Sequence, residues 1–176
     1  FEFPGRKVLF AGLMMTMMVP AQTTMIPSFL LINEMGLYDK LGALIIPAIT
    51  DAFGIYLCRQ YVEEVPQELL ESARLDGAGE FRTYWSIVLP QIRPAIGALG
   101  IFTFMTHWND YLSPLLYLTS SRKMTLPLAL SYFSTMHSSD LSATMAAAAL
   151  ITLPAMAVFL IFQKQFIKGI AITGMK

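Results

Sequence analysis

Long apolar runs separated by short polar stretches set the pattern of this chain. Four apolar segments, at about residues 8–32, 41–57, 95–118 and 143–162, each approach the roughly 20 residues an α-helix needs to cross about 30 Å of hydrocarbon. The pattern predicts an all-α, polytopic helical membrane protein with four transmembrane helices. None of the four is uniformly apolar. Pro20, Gln22, Thr23, Thr24 and Pro27 interrupt the first, Pro47 and Asp51 the second, His107, Asn109 and Asp110 the third, and Pro154 the fourth. Polar groups in hydrocarbon are costly unless they face other helices or water, so the helices are expected to pack around a pathway. Gln22, Thr23, Asp51, Trp108, Asn109 and Asp110 are the candidates to line it. The competing reading is that the prolines are simple kinks and the threonines bond their own backbone.

Residues 60–94 break the apolar pattern and carry a helical hairpin. Pro66 suits a first helical turn, where its missing N–H costs nothing, and Glu63, Glu64 and Glu68 favour the positive end of the helix dipole. Leu69 and Ala73 share a face at i, i+4, and Glu71 and Arg74 are spaced to pair at i, i+3. Asp76-Gly77 reads as a stop, because glycine adopts the left-handed conformation that commonly ends a helix. A second helix is expected to resume near Gly79. Its Phe81, Tyr84, Trp85 and Val88 fall at i, i+3, i+4, i+7, an aromatic stripe for a membrane surface or a partner. Pro90 is expected to end it, since the residue before proline is pushed out of helical space.

Composition strengthens the membrane reading. Hydrophobic residues make up 55% and charged residues 14% of the chain, against about 25% charged in ordinary soluble domains. Zero formal net charge offers no whole-chain attraction to nucleic acid. The single cysteine, Cys58, excludes an intrachain disulfide. Lys and Arg set the orientation. With the first segment entered from the cytoplasm, Arg6, Lys7, Arg59, Arg74, Arg82, Arg93, Lys164, Lys168 and Lys176 fall inside, and Lys40, Arg122 and Lys123 fall outside. This puts the hairpin in the cytoplasm and leaves two outer loops, a short one at 36–40 and a longer Ser/Thr-rich one at 119–142. The chain opens at Phe1 without a signal-peptide pattern and reads as a truncation.

The run Glu71-Ser72-Ala73, then Leu75-Asp76-Gly77-Ala78, then Ile87-Val88-Leu89-Pro90 and Pro94 resembles the cytoplasmic EAA loop of the membrane-spanning subunits of bacterial ABC importers. Phe3-Pro4-Gly5-Arg6, Pro20-Ala21-Gln22, Met25-Ile26-Pro27, Ala52-Phe53-Gly54-Ile55, Trp108-Asn109-Asp110 and Thr125-Leu126-Pro127 are similar to its carbohydrate-uptake branch. Ser72 stands where the motif has alanine, and Asp51 places a carboxylate where relatives tend to be neutral. The resemblance implies a six-helix family, here lacking its first two helices, in a bacterial inner membrane. It also implies the partners: a dimer of ABC ATPase subunits, a second permease subunit, an extracytoplasmic sugar-binding protein and the lipid bilayer, with no nucleic acid. Glu71, Ser72, Ala73, Leu75, Asp76, Gly77, Ala78, Leu89 and Pro90 would form the ATPase-docking element. ATP and Mg would be used by the partner ATPase subunits, with no cofactor bound by this chain and no catalytic site of its own. The chain carries no G-x-x-x-x-G-K-[ST] phosphate-binding loop.

Other chemistries are weakly supported. His107 and Asp110 sit at i, i+3, but no H-E-x-x-H pattern accompanies them and His137 falls in the outer loop, so no metal site is expected. No G-x-S-x-G elbow supports a serine nucleophile. Trp108-Asn109-Asp110 is read first as interhelical packing and hydrogen bonding, and second as direct sugar contact. The methionines at Met14, Met15, Met17, Met18 and Met25 suit uneven helix contacts. The alternatives to a permease subunit are a secondary transporter carrying ions on Asp51 and Asp110, and a membrane-embedded enzyme using His107 and Asp110.

Overall fold

A computed structural model describes residues 3–136 and 141–173, and every regular element among the described residues is helical. By length and composition, two helical stretches can cross a membrane, Gly42–Glu63 and Leu141–Gln163, and up to four if each of two bent pairs counts as one span. His137 and Lys176 lie outside the described residues. The chain divides into two compact units, Phe1–Ala52 with Met105–Ala157, and Phe53–Phe104 with Val158–Lys176.

In the first unit the apolar run expected as one helix over 8–32 is two helices, Arg6–Met17 and Ala21–Glu34, bent by 100°. Pro20 causes the break: it caps the second helix in an extended conformation (ψ 133°), which the residue before a helix start can hold but a helix interior cannot. Pro27, by contrast, sits inside its helix without ending it. Ala21–Glu34 stops at Gly36, whose φ of 65° lets the Leu37 N–H reach the Ile32 carbonyl at 3.0 Å and the Gly36 N–H reach Asn33 at 2.9 Å. This is the doubly bonded glycine cap, and it closes with an apolar contact. Leu37 packs onto a core of Ile32, Ala43 and Tyr117, with Phe29, Leu44 and Leu116 around it.

The third run, expected as one helix over 95–118, stops at Trp108 and restarts as Leu112–Tyr117. Polar Asn109 and Asp110 take up backbone groups at the gap. Beyond it, the stretch expected as a plain loop at 119–142 contains a 3₁₀ turn, Ser121–Lys123, and a helix, Leu126–Met136. Pro127 falls in the first turn of that helix, the position proline tolerates best. The last helix, Leu141–Thr173, is longer than the expected 143–162 and carries Pro154 internally.

The second unit holds Ala52–Glu63, the hairpin and most of Arg93–Trp108. Its core is Tyr61, Val65, Val88, Ile92 and Ala95, against which Leu57, Leu70 and Leu89 pack. These residues join the end of Ala52–Glu63 to both arms of the hairpin. Leu70 carries the first arm's apolar contact with that core; of Leu69 and Ala73, expected to share a face, Ala73 is buried and Leu69 is exposed. Phe53 and Phe102 meet edge to face, 5.7 Å between centroids.

Candidate ATPase-docking hairpin and polar clasp

The first arm of the hairpin is Gln67–Leu75, capped at its start by Pro66. It ends on Gly77, where φ is 76°. The Ala78 N–H donates to the Ala73 carbonyl at 2.9 Å and the Gly77 N–H to Arg74 at 3.1 Å, the same two-bond cap as at Gly36. A Cβ at Gly77 would meet nothing within 4 Å, so backbone conformation and not space demands glycine there. Arg74 pairs with Glu80 across the turn at 3.2 Å instead of with Glu71 on its own helix. The turn brings Glu80 back alongside the last helical turn, and the ion pair ties the two arms together.

The second arm, Glu80–Gln91, is a turn of α-helix over Glu80–Thr83, a π-helical stretch over Tyr84–Val88, and a last α-turn over Leu89–Gln91. Pro90 therefore does not end it. Leu89 keeps helical angles, φ −58° and ψ −42°, although it precedes proline. The π stretch adds a residue to the turn just ahead of Pro90, which relieves the crowding a proline ring meets in a tight α-turn. The break falls instead at Ile92, and Arg93–Trp108 leaves at 70°.

Between the arms lies an open groove of about 240 Å³, lined by Ser72, Ala73, Asp76 and Ala78 from one side and Arg82, Thr83, Ser86 and Ile87 from the other. The fold thus gathers four of the nine sequence-derived docking residues around one depression. Glu71 and Leu75 are exposed on the first arm, Leu75 at 89% of its surface. Gly77 forms the turn. Leu89 and Pro90 stand at the other end of the second arm, where Leu89 anchors the hairpin to the Tyr61 core. Ser72, the departure from the alanine motif, turns its hydroxyl back to the Leu69 carbonyl at 3.0 Å and so adds no unpaired polar group.

The candidate pathway residues fall into separate places. Gln22 and Thr23 are exposed in the first turn of Ala21–Glu34, where the Thr23 hydroxyl donates to the Pro20 carbonyl at 2.7 Å and Thr24 to Ala21 at 2.9 Å. Asp51 sits at the irregular step between Gly42–Ala48 and Ala52–Glu63. Trp108, Asn109 and Asp110 come together around one helix end. The Trp108 indole N–H donates to the Ile151 carbonyl at 3.0 Å, within the turn that Pro154 loosens. Asn109 donates to Met105 at 2.8 Å, and the Asp110 carboxylate accepts the Ser113 N–H at 3.2 Å, covering the start of Leu112–Tyr117.

One polar centre was not anticipated. Asp39, in the 36–40 loop, is the one described non-glycine residue with positive φ, at 55°. Its carboxylate accepts the Thr119 N–H at 2.9 Å, the Ser120 N–H at 2.8 Å and the Ser120 hydroxyl, while Lys123 Nζ reaches Oδ2 at 3.0 Å and also the Asp39 carbonyl. Tyr38 and Thr119 hydroxyls add a bond of 2.8 Å. These donors, the Ser120 hydroxyl foremost, hold the carboxyl well below the usual carboxylate range. The two loops expected on the same side of the membrane are thereby joined, by residues about 80 positions apart. A Tyr-Asp-Lys loop gives no local hint of such a contact.

The chain matches, over residues 1–172, the family described as the binding-protein-dependent transport system inner membrane component. Among curated relatives, it is 35% identical over its full length to the arabinooligosaccharides transport system permease protein AraQ of Bacillus subtilis, covering 63% of that protein. It is 34% identical to the lactose transport system permease protein LacG of Rhizobium radiobacter, over 96% of this chain and 62% of the relative. It is 36% identical to the sn-glycerol-3-phosphate transport system permease protein UgpE of Yersinia pestis, over 97% of this chain and 61% of the relative. The chain therefore spans less than two thirds of the length of these relatives. Among solved structures, a chain from the crystal structure of a bacterial ABC transporter involved in the import of the acidic polysaccharide alginate aligns with a TM-score of 0.68 at 25% identity, over 99% of this chain and 64% of that one. An all-helical chain with membrane-length apolar helices, matched along nearly its whole length, belongs to the inner-membrane component family of binding-protein-dependent transport systems.

Proposed function

We propose that this chain is the membrane-spanning permease part of an ATP-driven, binding-protein-dependent importer of sugars or sugar phosphates, and that the Gln67–Gln91 hairpin docks its ATPase. The observation that carries the reading is the groove between the arms, set by the Gly77 cap and the Arg74–Glu80 pair. Docking needs a small, stiff, exposed element anchored to a membrane helix. The hairpin has each property: a fixed turn, an exposed first arm, and a second arm held to the Tyr61 core by Val88 and Leu89. Closure of an ATPase dimer on ATP would move the hairpin as one body, and the 70° junction at Ile92 would pass the motion to Arg93–Trp108. The chain's role is transport without chemistry of its own.

A second permease subunit and an extracytoplasmic binding protein would complete the assembly in a bacterial inner membrane, with the hairpin in the cytoplasm. Joining of the 36–40 and 119–123 loops by Asp39 supports placing Lys40, Arg122 and Lys123 together on the opposite face. The relatives' names span arabinooligosaccharides, lactose and glycerol phosphate, so the cargo class is carbohydrate in the broad sense.

The test is co-purification of the full-length subunit with its ATPase. Ser72→Arg adds a bulky cation at the rim of the groove without touching the hairpin core. It should leave membrane insertion intact and release the ATPase. Equal recovery of ATPase with the variant and the unmodified subunit would remove the hairpin from the docking role.

A further inference from the structure

We propose that the second arm of the hairpin lies in the cytoplasmic headgroup layer, with Phe81 and Trp85 inserted as an interfacial anchor, so that its aromatic face meets lipid while its groove face is left to the ATPase. The proposal rests on the cytoplasmic placement argued above. Glu80–Gln91 meets Arg93–Trp108 at 70°; with the apolar Arg93–Trp108 standing across the bilayer, as this proposal takes it, the arm lies within about 20° of the bilayer plane. Even when the crossing helix takes an ordinary tilt of about 20°, the arm stays nearer the plane than the normal.

Its faces are distinct. Thr83, Val88 and then Ile92 turn inward and are buried, while Arg82, Thr83, Ser86 and Ile87 border the groove. Phe81, Tyr84 and Trp85 are left outside, with Phe81 77% and Trp85 54% exposed. They form one surface: Phe81 and Trp85 rings are 6.1 Å apart and Tyr84 and Trp85 5.9 Å, both edge to face. Three adjoining aromatic rings in water would be an unpaid hydrophobic cost, and they begin only a few residues from a membrane helix. A lipid occupant fits their chemistry. Trp and Tyr favour the interface because the ring body is apolar and the N–H or O–H stays wet. Among the described residues, neither the Tyr84 hydroxyl nor the Trp85 indole N–H has a protein partner, which leaves both for phosphate and glycerol oxygens. Arg93, exposed at the junction of the arm with the following helix, supplies a cation that anionic headgroups attract.

Spin labels test it in the assembled full-length transporter, in vesicles of phosphatidylethanolamine and phosphatidylglycerol, on a Cys58→Ser background. Phe81→Cys or Trp85→Cys carries the label on the arm, and Leu75→Cys carries one on the first arm. A label at 81 or 85 should be reached by oxygen more than by a water-soluble nickel chelate, with a depth at headgroup level that does not change when the ATPase subunits are stripped off. Reading both positions guards against one variant failing to assemble. A label at 81 and 85 that is fully water-exposed after stripping overturns the proposal, and so does one that becomes immobilised only when the ATPase returns, which would make the aromatic face a protein contact. The label at 75 answers separately: if it does not respond to the ATPase, the docking role fails while the lipid anchor stands.

Discussion

The Asp39 carboxylate and the Ser120 backbone N–H are 2.8 Å apart although 81 positions separate them in the chain. Around that bond one acidic side chain satisfies two amides, a hydroxyl and a lysine. Asp39 needs positive φ to aim at them, and short polar side chains visit that region more readily than others. Asp39→Asn keeps the left-handed backbone and an acceptor for the amides but loses the charge facing Lys123. Asp39→Ala loses both. Acylation of Lys123 should therefore speed up in both variants, and protease cleavage between Thr119 and Met124 should rise mainly in Asp39→Ala. Equal protection in the Ala variant would show that the loops are held by their apolar neighbours alone.

The same donors fix a pH response. A carboxyl whose folded pKa lies below its unfolded value of about 3.9 stabilises the folded form above that value, and the contribution is lost as pH falls through the folded pKa. The clasp should thus be insensitive to pH between about 5 and 8. It should still hold at pH 4, where an ordinary aspartate is near half protonated. Lys123 acylation is unsuited to acid, so the check is the carboxyl carbon signal of labelled Asp39, which should stay at its ionised position at pH 4.

Trp108 gives a third outcome. Its indole N–H donates to the Ile151 carbonyl at 3.0 Å and ties that helix end to Leu141–Thr173. Trp108→Phe keeps most of the ring and removes the donor, a loss of about 1 kcal/mol for a single neutral hydrogen bond. Thermal unfolding of the assembled transporter in detergent should fall accordingly, with sugar affinity unchanged. A large loss of affinity at preserved stability would instead mean that Trp108 touches cargo.

What the sequence made legible was mostly local. Gly77 announced its turn because only a left-handed residue can follow Asp76 there, and the Pro66 start needed no tertiary information. Pro20 and Pro27 look alike in the sequence, yet one stands extended before a new helix at a 100° bend and the other lies inside that helix, a difference that residue type alone does not encode. Pro90 does not end its helix, because a π stretch over Tyr84–Val88 precedes it; that stretch closes on Val88 in the Tyr61 core, a contact that no local pattern encodes. Arg74 chose Glu80 over Glu71 because the cap folds the chain back on itself. Asp39 was invisible since all its partners except its own loop lie about 80 residues on.

Gly77 remains the most demanding position of the hairpin. Valine there would hold positive φ at a strain of roughly 1–2 kcal/mol, or abandon it and re-aim the second arm. Space is not the issue, because nothing lies within 4 Å of the added Cβ. Gly79, also open but without positive φ, supplies the control. Gly77→Asn should be nearly neutral, since asparagine tolerates the left-handed region, and Gly79→Ala should be silent. Gly77→Val in the full-length assembly should leave insertion and external sugar capture intact while uptake and sugar-stimulated ATPase activity fall together. If uptake by Gly77→Val matches that of Gly79→Ala, the turn is only a connector and ATPase coupling must pass through another part of the chain.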